Sequence, residues 1–399
     1  MAVGTRSTAA DPTAATPAPA PIPMFKAAVA PGALDGVADV LAGGQLEHGP
    51  RAGELERAVG RRLGNRRVVA VDFGASALQL AVRLAAFAGG GAPGERSAAE
   101  AGEVLSVPLT FEATNWAILA NGLRVRWVDV DPRTLSVDFD DLERKLSPAT
   151  RAVMVVHWLG SPVDLDRLHR VVDAAEARLG FRPAVIEDGA QAWGAAYRGR
   201  PIGDHGNTTV FSLGAIKVLT AGSGGLLVVP DDGLEERARR LRWLGIDRTA
   251  DRATGGYDVA EWGHRFTMNE VSAAIALANL EIVDGLVARA RDNAAYFDEH
   301  LRDVPGLEHV ERAEGAEPSF WAYPLKVDGR AAFKRKLAQA GIPTSIVARR
   351  NDAHTCMRDA AEALPGLDSV YDRLAYVPVG WWLSDDDRER IVDAICSGW

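Results

Sequence analysis

The 399-residue chain has only two cysteines and no long apolar run. Cys356 and Cys396 provide neither a disulfide framework nor the ligand spacing of a metal site, so we expect two reduced thiols in a cytoplasmic protein that binds no metal. No apolar stretch approaches the length that a membrane-spanning helix needs, and we expect no membrane contact. Residues 1–22 are rich in Ala, Pro and Thr but lack the apolar centre of a signal peptide, which predicts a flexible tail.

The chain also has fewer positive than negative side chains. Lys and Arg total 45 against 54 Asp and Glu, which gives a net charge of −9. Surfaces that bind nucleic acids are usually basic, so we expect no nucleic-acid partner. Acidic small molecules would have to be held by local arginines. The 47% of hydrophobic residues is enough for a substantial core, in one large or two moderate domains.

Short apolar segments alternate with helical segments through much of the chain. Strands are predicted at 67–71, 103–108, 152–156, 185–187 and 208–211. This alternation predicts a mostly parallel sheet that is buried on both faces. One long helix is expected at 270–286, and beyond it the pattern indicates a smaller α+β unit. The expected division is therefore a tail (1–22), a large domain (23–285) and a small C-terminal domain (286–399).

Polar and aromatic side chains follow the ends of several predicted elements. They are Ser76, Phe111, His157, Asp188 and Ser212. Ligands of parallel sheets bind beyond the carboxyl ends of the strands. Asp188 and Ser212 follow successive strands, and Lys217 comes five residues after the serine. A lysine can form an imine with an aldehyde cofactor, and a buried carboxylate can keep a pyridine nitrogen charged. The turn at 72–78, which leads from a strand into a helix, is a candidate anion site.

Eight segments of the chain, in order, resemble one known family. They are GQLEHGP (44–50), FGASALQLA (73–81), VPLTFEATNWAIL (107–119), VDVDPRTLSVD (128–138), VVHWLGSPVDLD (155–166), IEDGAQAWGA (186–195), FSLGAIKVLTAGSGG (211–225) and HRFTMNEVSAA (264–274). From about Ile22 to its end, the chain resembles the DegT/DnrJ/EryC1/StrS sugar aminotransferases, which depend on pyridoxal 5′-phosphate. The resemblance implies the α/β architecture of fold type I, with helices on both faces of a mostly parallel central sheet and a smaller C-terminal α+β domain.

The resemblance also implies roles for individual residues. Lys217 matches the lysine that forms the Schiff base with the cofactor and then moves a proton at the substrate carbon. Asp188 matches the carboxylate that pairs with the pyridine nitrogen. Gln191 matches the residue beside the phenolic oxygen, Phe111 the aromatic stacked on the ring, and Ser212 a phosphate ligand. Pyridoxamine 5′-phosphate is the expected intermediate form of the cofactor.

Two departures from the family fall at the phosphate. Ala75 replaces a threonine, so the phosphate is expected to rely more on backbone N–H groups and on Ser76. Arg265 replaces an asparagine that, in the family, reaches the phosphate of the neighbouring subunit's cofactor. We expect Arg265 to keep this role with a full charge, in a homodimer with shared active sites.

The implied reaction transfers an amino group from glutamate or glutamine to a keto-sugar, with a nucleotide-linked sugar favoured, or to a keto-cyclitol. The expected setting is natural-product or cell-surface sugar biosynthesis. A polar cluster is a candidate for binding a diphosphate or sugar hydroxyls, although a solvated loop has the same pattern. Its members are Arg349, Arg350, Asn351 and His354. His157 is a candidate substrate residue or, alternatively, a histidine with a structural hydrogen bond.

Other functions stay open at this point. The dehydratase branch of the family carries a histidine in place of Lys217, which counts against that reaction. Changes at Gly214, Ala215 and Ser223 leave an aminobenzoate-type synthase as an alternative. A non-catalytic relative that binds the cofactor is a further alternative, and the retention of Asp188, Gln191 and Lys217 counts against it.

Overall fold

A computed structural model describes residues 20–87, 102–247, 258–346 and 348–399. Its strands are β1 (Val68–Val71), β2 (Glu103–Ser106), β3 (Arg124–Trp127), β4 (Thr150–Val156), β5 (Ala184–Asp188), β6 (Ala196–Tyr197), β7 (Arg200–Pro201), β8 (Thr208–Ser212), β9 (Gly225–Val228), β10 (Leu307–His309), β11 (Ala316–Glu317), β12 (Tyr323–Val327) and β13 (Leu374–Val377). Its helices are α1 (Ala33–Gly43), α2 (Pro50–Leu63), α3 (Gly74–Ala86), α4 (Glu112–Ala120), α5 (Phe139–Lys145), α6 (Leu165–Leu179), α7 (Asp232–Arg242), α8 (Glu270–Asn279), α9 (Val283–His300), α10 (Arg330–Gln339), α11 (Pro365–Val370) and α12 (Asp385–Cys396).

The central sheet has seven strands in the order β1-β9-β8-β5-β4-β2-β3. β9 runs antiparallel to its neighbours β1 and β8, and the other neighbours are parallel. β1, β4 and β9 of this sheet are almost continuously apolar and buried, as expected for strands covered by helices on both faces, whereas the edge strand β3 alternates exposed arginines with buried residues. The predicted fold class, a mostly parallel α/β sheet with helices on both faces, is confirmed. Two three-stranded antiparallel sheets, β10-β12-β13 and β11-β6-β7, flank it.

Parallel pairing aligns the ends of three strands. Val156 of β4 pairs with Asp188 of β5, and Asp188 pairs with Val210 of β8. β4, β5 and β8 therefore end at one edge of the sheet, where the chain leaves β8 at Ser212. The side chains that follow these ends are brought together by the register of the sheet.

Short polar residues cap five helices of the described chain. The side chains of Asp138, Asp164, Asp231, Asn269 and Ser384 accept backbone N–H groups at the starts of α5, α6, α7, α8 and α12. α3 differs from these helices, because its N-cap residue is Phe73 and no side chain caps it. The first N–H groups of α3 thus stay available to another acceptor.

The prediction of one continuous helix at 270–286 is wrong, because the helix is interrupted between α8 and α9. Buried Asn279 at the end of α8 accepts the Ala30 N–H (2.7 Å) and donates to the Thr220 carbonyl (2.7 Å). The Leu280 carbonyl accepts a hydrogen bond from the Arg62 guanidinium (2.7 Å). The Leu280 carbonyl thus has a tertiary partner in place of a helical one, and the Asn279 side chain ties the end of α8 to two other segments. No single helix in the described ranges is long and apolar enough to cross a membrane, and α8 with α9 meets that test only as a pair bent by 56°.

Buried side chains form two clusters. The larger one surrounds the central sheet, and it also takes in residues between Ala348 and Tyr376. The smaller one joins α9, α10, α12, β12 and β13, and includes Ile22. The residues after 286 thus contribute to both clusters, and the domain division at residue 285 stays a prediction. Of the predicted tail, residues 1–19 lie outside the described ranges, whereas Ile22 is 5% exposed and packed.

Gly225 at the start of β9 permits a close approach of β9 to the start of α3. A Cβ atom at residue 225 would lie 2.5 Å from the Phe73 carbonyl oxygen and 2.8 Å from the Gly74 nitrogen. Both are backbone atoms that cannot rotate away. We therefore expect Gly225→Ala to lower the free energy of unfolding by about 1–3 kcal/mol or more and to displace the start of α3.

The measurement is the urea midpoint of the variant against that of Gly43→Ala. A Cβ at Gly43, in the last turn of α1, would have no atom within 4 Å. The control should therefore match the parent or be slightly more stable. Equal midpoints for both variants would contradict the close approach.

Candidate active site

A cavity of about 360 Å³ opens at the edge where β4, β5 and β8 end. The predicted residues that line it are Ala75, Phe111, Asp188, Gln191, Ser212 and Lys217. Its walls also carry large apolar side chains, among them Phe25, Phe73 and Trp321. Phe73 and Phe111 are each 55% exposed and stand at its mouth. The cavity thus combines an apolar wall with a few convergent polar groups, as small-molecule sites usually do.

Lys217 lies in the turn after β8, where its backbone N–H donates to the Gly214 carbonyl (3.0 Å). Its amine lies 4.0 Å from the centre of the Trp321 ring. Burial lowers the pKa of Lys217 from 10.5 to about 8, although the negative charge of Asp188 acts in the opposite direction. A substantial fraction of this amine is therefore neutral in mildly alkaline solution, where an ordinary lysine is fully charged.

Asp188 ends β5 with a carboxylate that is only 4% exposed. One oxygen accepts the Thr114 hydroxyl (2.6 Å), and the other accepts the Ala190 N–H (3.0 Å). The Thr114 hydroxyl is itself 2.8 Å from that of Thr110. These donors compensate part of the lost hydration and fix the direction of the carboxylate.

The start of α3 forms the opposite end of the cavity. Gly74, Ala75 and Ser212 line it. A Cβ at residue 74 would lie 2.8 Å from the Cβ of Ser212, so a glycine is needed for the helix start to meet the end of β8. Uncapped N–H groups and the positive end of the helix dipole make this place suitable for a phosphate. Ser76 is buried and does not line the cavity.

Gln191 is a further polar residue that lines the cavity. Its side-chain oxygen accepts the Leu159 N–H (2.8 Å), which fixes the orientation of the amide. Within the described residues the NH₂ group of Gln191 makes no hydrogen bond, so it can donate to a ligand in the cavity. A phosphorylated pyridine aldehyde fits this cavity. The cavity offers it an anion site, a buried carboxylate, an amide donor and a lysine of lowered pKa.

Comparison with known proteins supports this chemistry. The chain matches the model of the DegT/DnrJ/EryC1/StrS aminotransferase family over residues 31–396. It belongs to this family. The assignment confirms the predicted resemblance and a pyridoxal-phosphate-dependent aminotransferase of fold type I.

Three solved structures show how closely the chain follows its relatives. It is 59% identical to the sugar aminotransferase CalS13 from Micromonospora echinospora, with a TM-score of 0.90 over 95% of this chain and 100% of that one. It is 58% identical to AtS13 from Actinomadura melliaura, with a TM-score of 0.90 over 96% and 100% of the two chains. It is 30% identical to the aminotransferase TlmJ from Streptoalloteichus hindustanus, with a TM-score of 0.83 over 94% and 98%.

His157 is not brought to the cavity of this aminotransferase. Its ring is fully buried, with Nε2 2.8 Å from the Glu187 carboxylate and Nδ1 accepting the Val163 N–H (3.2 Å). Because Nδ1 accepts, the ring proton lies on Nε2 and is donated to Glu187. Burial raises the pKa of Glu187, but the hydrogen bonds from His157 and Asn207 outweigh burial and lower it. The structural role, which the sequence left as an alternative, fits these contacts.

The polar cluster predicted to meet the substrate lies outside the cavity lining. Arg350 is paired with Asp352 and Asp368. Exposed Arg349 donates to the Ala353 carbonyl (3.0 Å). A sequence cannot show that these charges already have partners within the same chain.

The rest of this cluster docks on α4 and the turn before it. Asn351 is buried and donates to the Thr110 carbonyl (2.9 Å), while its oxygen accepts the Asn115 amide (2.8 Å). His354 lies 3.4 Å from the Glu112 carboxylate. Asn351 and His354 therefore hold the segment after α10 against the helix that carries Thr114.

Arg265 is also absent from the lining of this chain's cavity. Its guanidinium is exposed and forms two bonds to the Glu47 carboxylate (2.8 and 2.9 Å). The expected contact with a phosphate is thus not made within one chain.

Several lining residues escaped sequence reasoning. They are Phe25, Phe73, Thr110, Thr114, Ile216, Trp321 and Ser345. Thr114 lies one helical turn after Phe111, so the spacing of three residues was a usable signal. No such signal exists in the sequence for Phe25 and Trp321, because they come from segments far from the motifs.

The depressed pKa of Lys217 leads to a pH prediction. The rate at which a small neutral acylating reagent modifies Lys217 in the protein without cofactor should rise with pH, reach half its maximum at about pH 8 and level off above that pH. Asp188→Asn removes a charge that favours the ammonium form, so the midpoint should move to lower pH.

Modification is followed by mass spectrometry of the peptide that contains Lys217. Asp303→Asn, at an exposed position of the chain, is the matched control and should leave the midpoint unchanged. A midpoint that rises in Asp188→Asn would contradict the electrostatic coupling between the two groups.

Proposed function

We propose that this aminotransferase moves an amino group from glutamate or glutamine to a keto-sugar, with a nucleotide-linked sugar favoured over a keto-cyclitol. The observation that carries the proposal is the amine of Lys217, with its pKa lowered to about 8, in one cavity with the buried carboxylate of Asp188. The sugar aminotransferase CalS13, 59% identical over nearly the whole chain, supports a sugar as the acceptor.

The cofactor would be held by residues from both ends of the cavity. The start of α3 and the Ser212 hydroxyl would bind the phosphate, and Asp188 would pair with the ring nitrogen. Phe111 and the Gln191 amide would contact the ring face and the phenolic oxygen. When bound, pyridoxal phosphate supplies a carbonyl for amine exchange and a ring that stabilises negative charge on the substrate carbon.

Lys217 has the properties of the group that moves the proton. A base that takes a proton from one carbon and returns it to another works best when its pKa is near the working pH. The value of about 8 meets this condition. The Trp321 ring lies against the amine, and Phe25 and Phe73 add apolar surface to the same cavity. Apolar surroundings of this kind limit loss of the transferred proton to solvent.

The apolar walls also suit the acceptor. Aromatic faces bind the C–H faces of a sugar ring, and the few polar groups fix its orientation. We place the nucleotide portion outside the cavity, beyond Phe73 and Phe111 at its mouth. The Arg350 side chain is not needed for it, because two carboxylates already pair with its charge.

The test of the reaction is a half-reaction assay. The protein is incubated with pyridoxal phosphate and glutamate or glutamine, and loss of the visible absorbance and release of the 2-oxo acid are followed together. Keto-sugar nucleotides and keto-cyclitols are then offered as acceptors. Lys217→Ala should lower turnover by at least about 100-fold, because the proton carrier is lost.

Lys334→Ala is the matched control, since Lys334 is an exposed lysine on α10. It should retain parental turnover. Full turnover in Lys217→Ala, or a parent protein whose absorbance does not respond to any amino donor, would contradict the proposed reaction. Loss of water from a sugar without amine transfer would point to a dehydratase instead.

We also propose a homodimer in which Arg265 of the partner subunit supplies the missing positive charge at the phosphate. Among the described lining residues of the cavity there is no arginine, and a phosphate there would be countered only by N–H groups and a hydroxyl. Three apolar side chains on and after α1, Leu34, Leu41 and Leu46, are 77%, 60% and 49% exposed, which suits burial against a second copy.

Arg265→Ala should therefore weaken pyridoxal phosphate binding by about 10- to 100-fold, the usual worth of a charged hydrogen-bonded pair. Equilibrium dialysis at fixed protein concentration measures the effect. Arg349→Ala removes another exposed arginine and should not change the affinity. An Arg265→Ala protein with parental affinity would contradict the shared site.

A further inference from the structure

Residues 20–30, here called the N-terminal strap, have no regular secondary structure, yet they are tied to the rest of the chain. The Ile22 N–H donates to the Gly341 carbonyl (3.0 Å). The indole N–H groups of Trp382 and Trp381 donate to the carbonyls of Pro23 (2.9 Å) and Lys26 (3.2 Å). Two backbone carbonyls of the strap, which has no strand partner, are thus satisfied by indole side chains from the segment after β13.

The strap delivers one aromatic ring to the cavity. Phe25 lies between the two indole-bound carbonyls and stacks on Trp321, with ring centres 4.3 Å apart and planes 16° from parallel. Trp321 has a second fixed contact, because its indole N–H donates to the Ile216 carbonyl (3.0 Å). The ring of Trp321 is therefore held from one face and from its edge.

The ring of Trp321 also contacts Lys217. The Lys217 amine lies 4.0 Å from the centre of the Trp321 ring, and no carboxylate or hydroxyl of the described residues is hydrogen-bonded to it. A flexible four-carbon side chain has many rotamers, and an apolar cavity offers it few anchors. An aromatic face attracts an ammonium group and packs against a neutral amine.

We propose that Trp321 is a positioning residue for Lys217, and that Phe25 and the indoles of Trp381 and Trp382 act through it. The proposal rests on the assignment of Lys217 as the reacting amine. The N-terminal strap is then a part of the active site, although its sequence lies far from every motif of the site. Trp321 positions the Lys217 amine in the cavity, and the strap positions Trp321.

The experiment uses the full chain without cofactor and follows the visible absorbance that appears when pyridoxal phosphate is added. The rate is measured at a pH well above the midpoint for Lys217, where the amine is neutral in every variant. Trp321→Leu removes the ring and should lower this rate by about tenfold or more, because a misplaced amine reacts more slowly. Trp321→Phe keeps a ring and should recover most of the rate.

Two further variants test the chain of contacts. Phe25→Leu should lower the rate less than Trp321→Leu, and the double variant Trp381→Phe and Trp382→Phe should behave like Phe25→Leu. Trp399→Phe is the matched control, because it removes an indole N–H bond to the Asp328 carbonyl (2.6 Å), which involves neither the strap nor Trp321. It should keep the parental rate.

The outcomes separate this proposal from the proposed reaction. A parent protein that never condenses with pyridoxal phosphate would overturn the function itself. A normal rate in Trp321→Leu, with a raised KM for the acceptor sugar, would make Trp321 a wall for the sugar and overturn its positioning role. A low rate in Trp321→Phe equal to that in Trp321→Leu would overturn the role of the ring. Urea midpoints of all variants identify any that are simply unfolded.

Discussion

Parallel pairing fixes the spacing between β4, β5 and β8, and this spacing decides where the polar groups of the site stand. Val156, Asp188 and Val210 are register partners in one row of the sheet. The turn after β8 can therefore place Lys217 near Asp188 without a long loop. Gly225 and Gly74 add the second condition, since only residues without a Cβ let the start of α3 meet β8 and β9.

Burial and charge act against each other at Lys217. The apolar walls disfavour its ammonium form, and Asp188 favours it. The result is an amine whose pKa lies between that of a free lysine and that of a lysine buried without a carboxylate. Asp188 is in turn kept in place by the hydroxyl of Thr114, so the neighbouring helix α4 contributes to the properties of the lysine.

Much of the fold can be predicted from the sequence, and so can the polar residues that line the cavity. Both depend on local patterns. Asp188, Gln191, Ser212 and Lys217 lie within one short segment whose strands β5 and β8 are adjacent in the central sheet. Their position in the cavity needs only strand order and register.

The rest depends on tertiary contacts that no local pattern shows. The helix predicted at 270–286 is interrupted where the Leu280 carbonyl bonds to Arg62 and the Asn279 side chain bonds to two distant segments. Arg350 was expected to meet a substrate, but two carboxylates of the same chain neutralise it. Phe25 and Trp321 reach the cavity from opposite ends of the chain, and only the packed structure places them together.

The Glu187-Asp188 pair at the end of β5 has a further consequence. Successive side chains of a strand point to opposite faces, so these adjacent carboxylates belong to different environments. Glu187 faces His157 and Asn207 within the protein, and Asp188 faces the cavity. Two acids that look equivalent in the sequence are thus made different by the pleat alone. A shift of β5 by one residue would exchange them, so that Asp188 would point into the interior and Glu187 would lose its hydrogen bonds with His157 and Asn207.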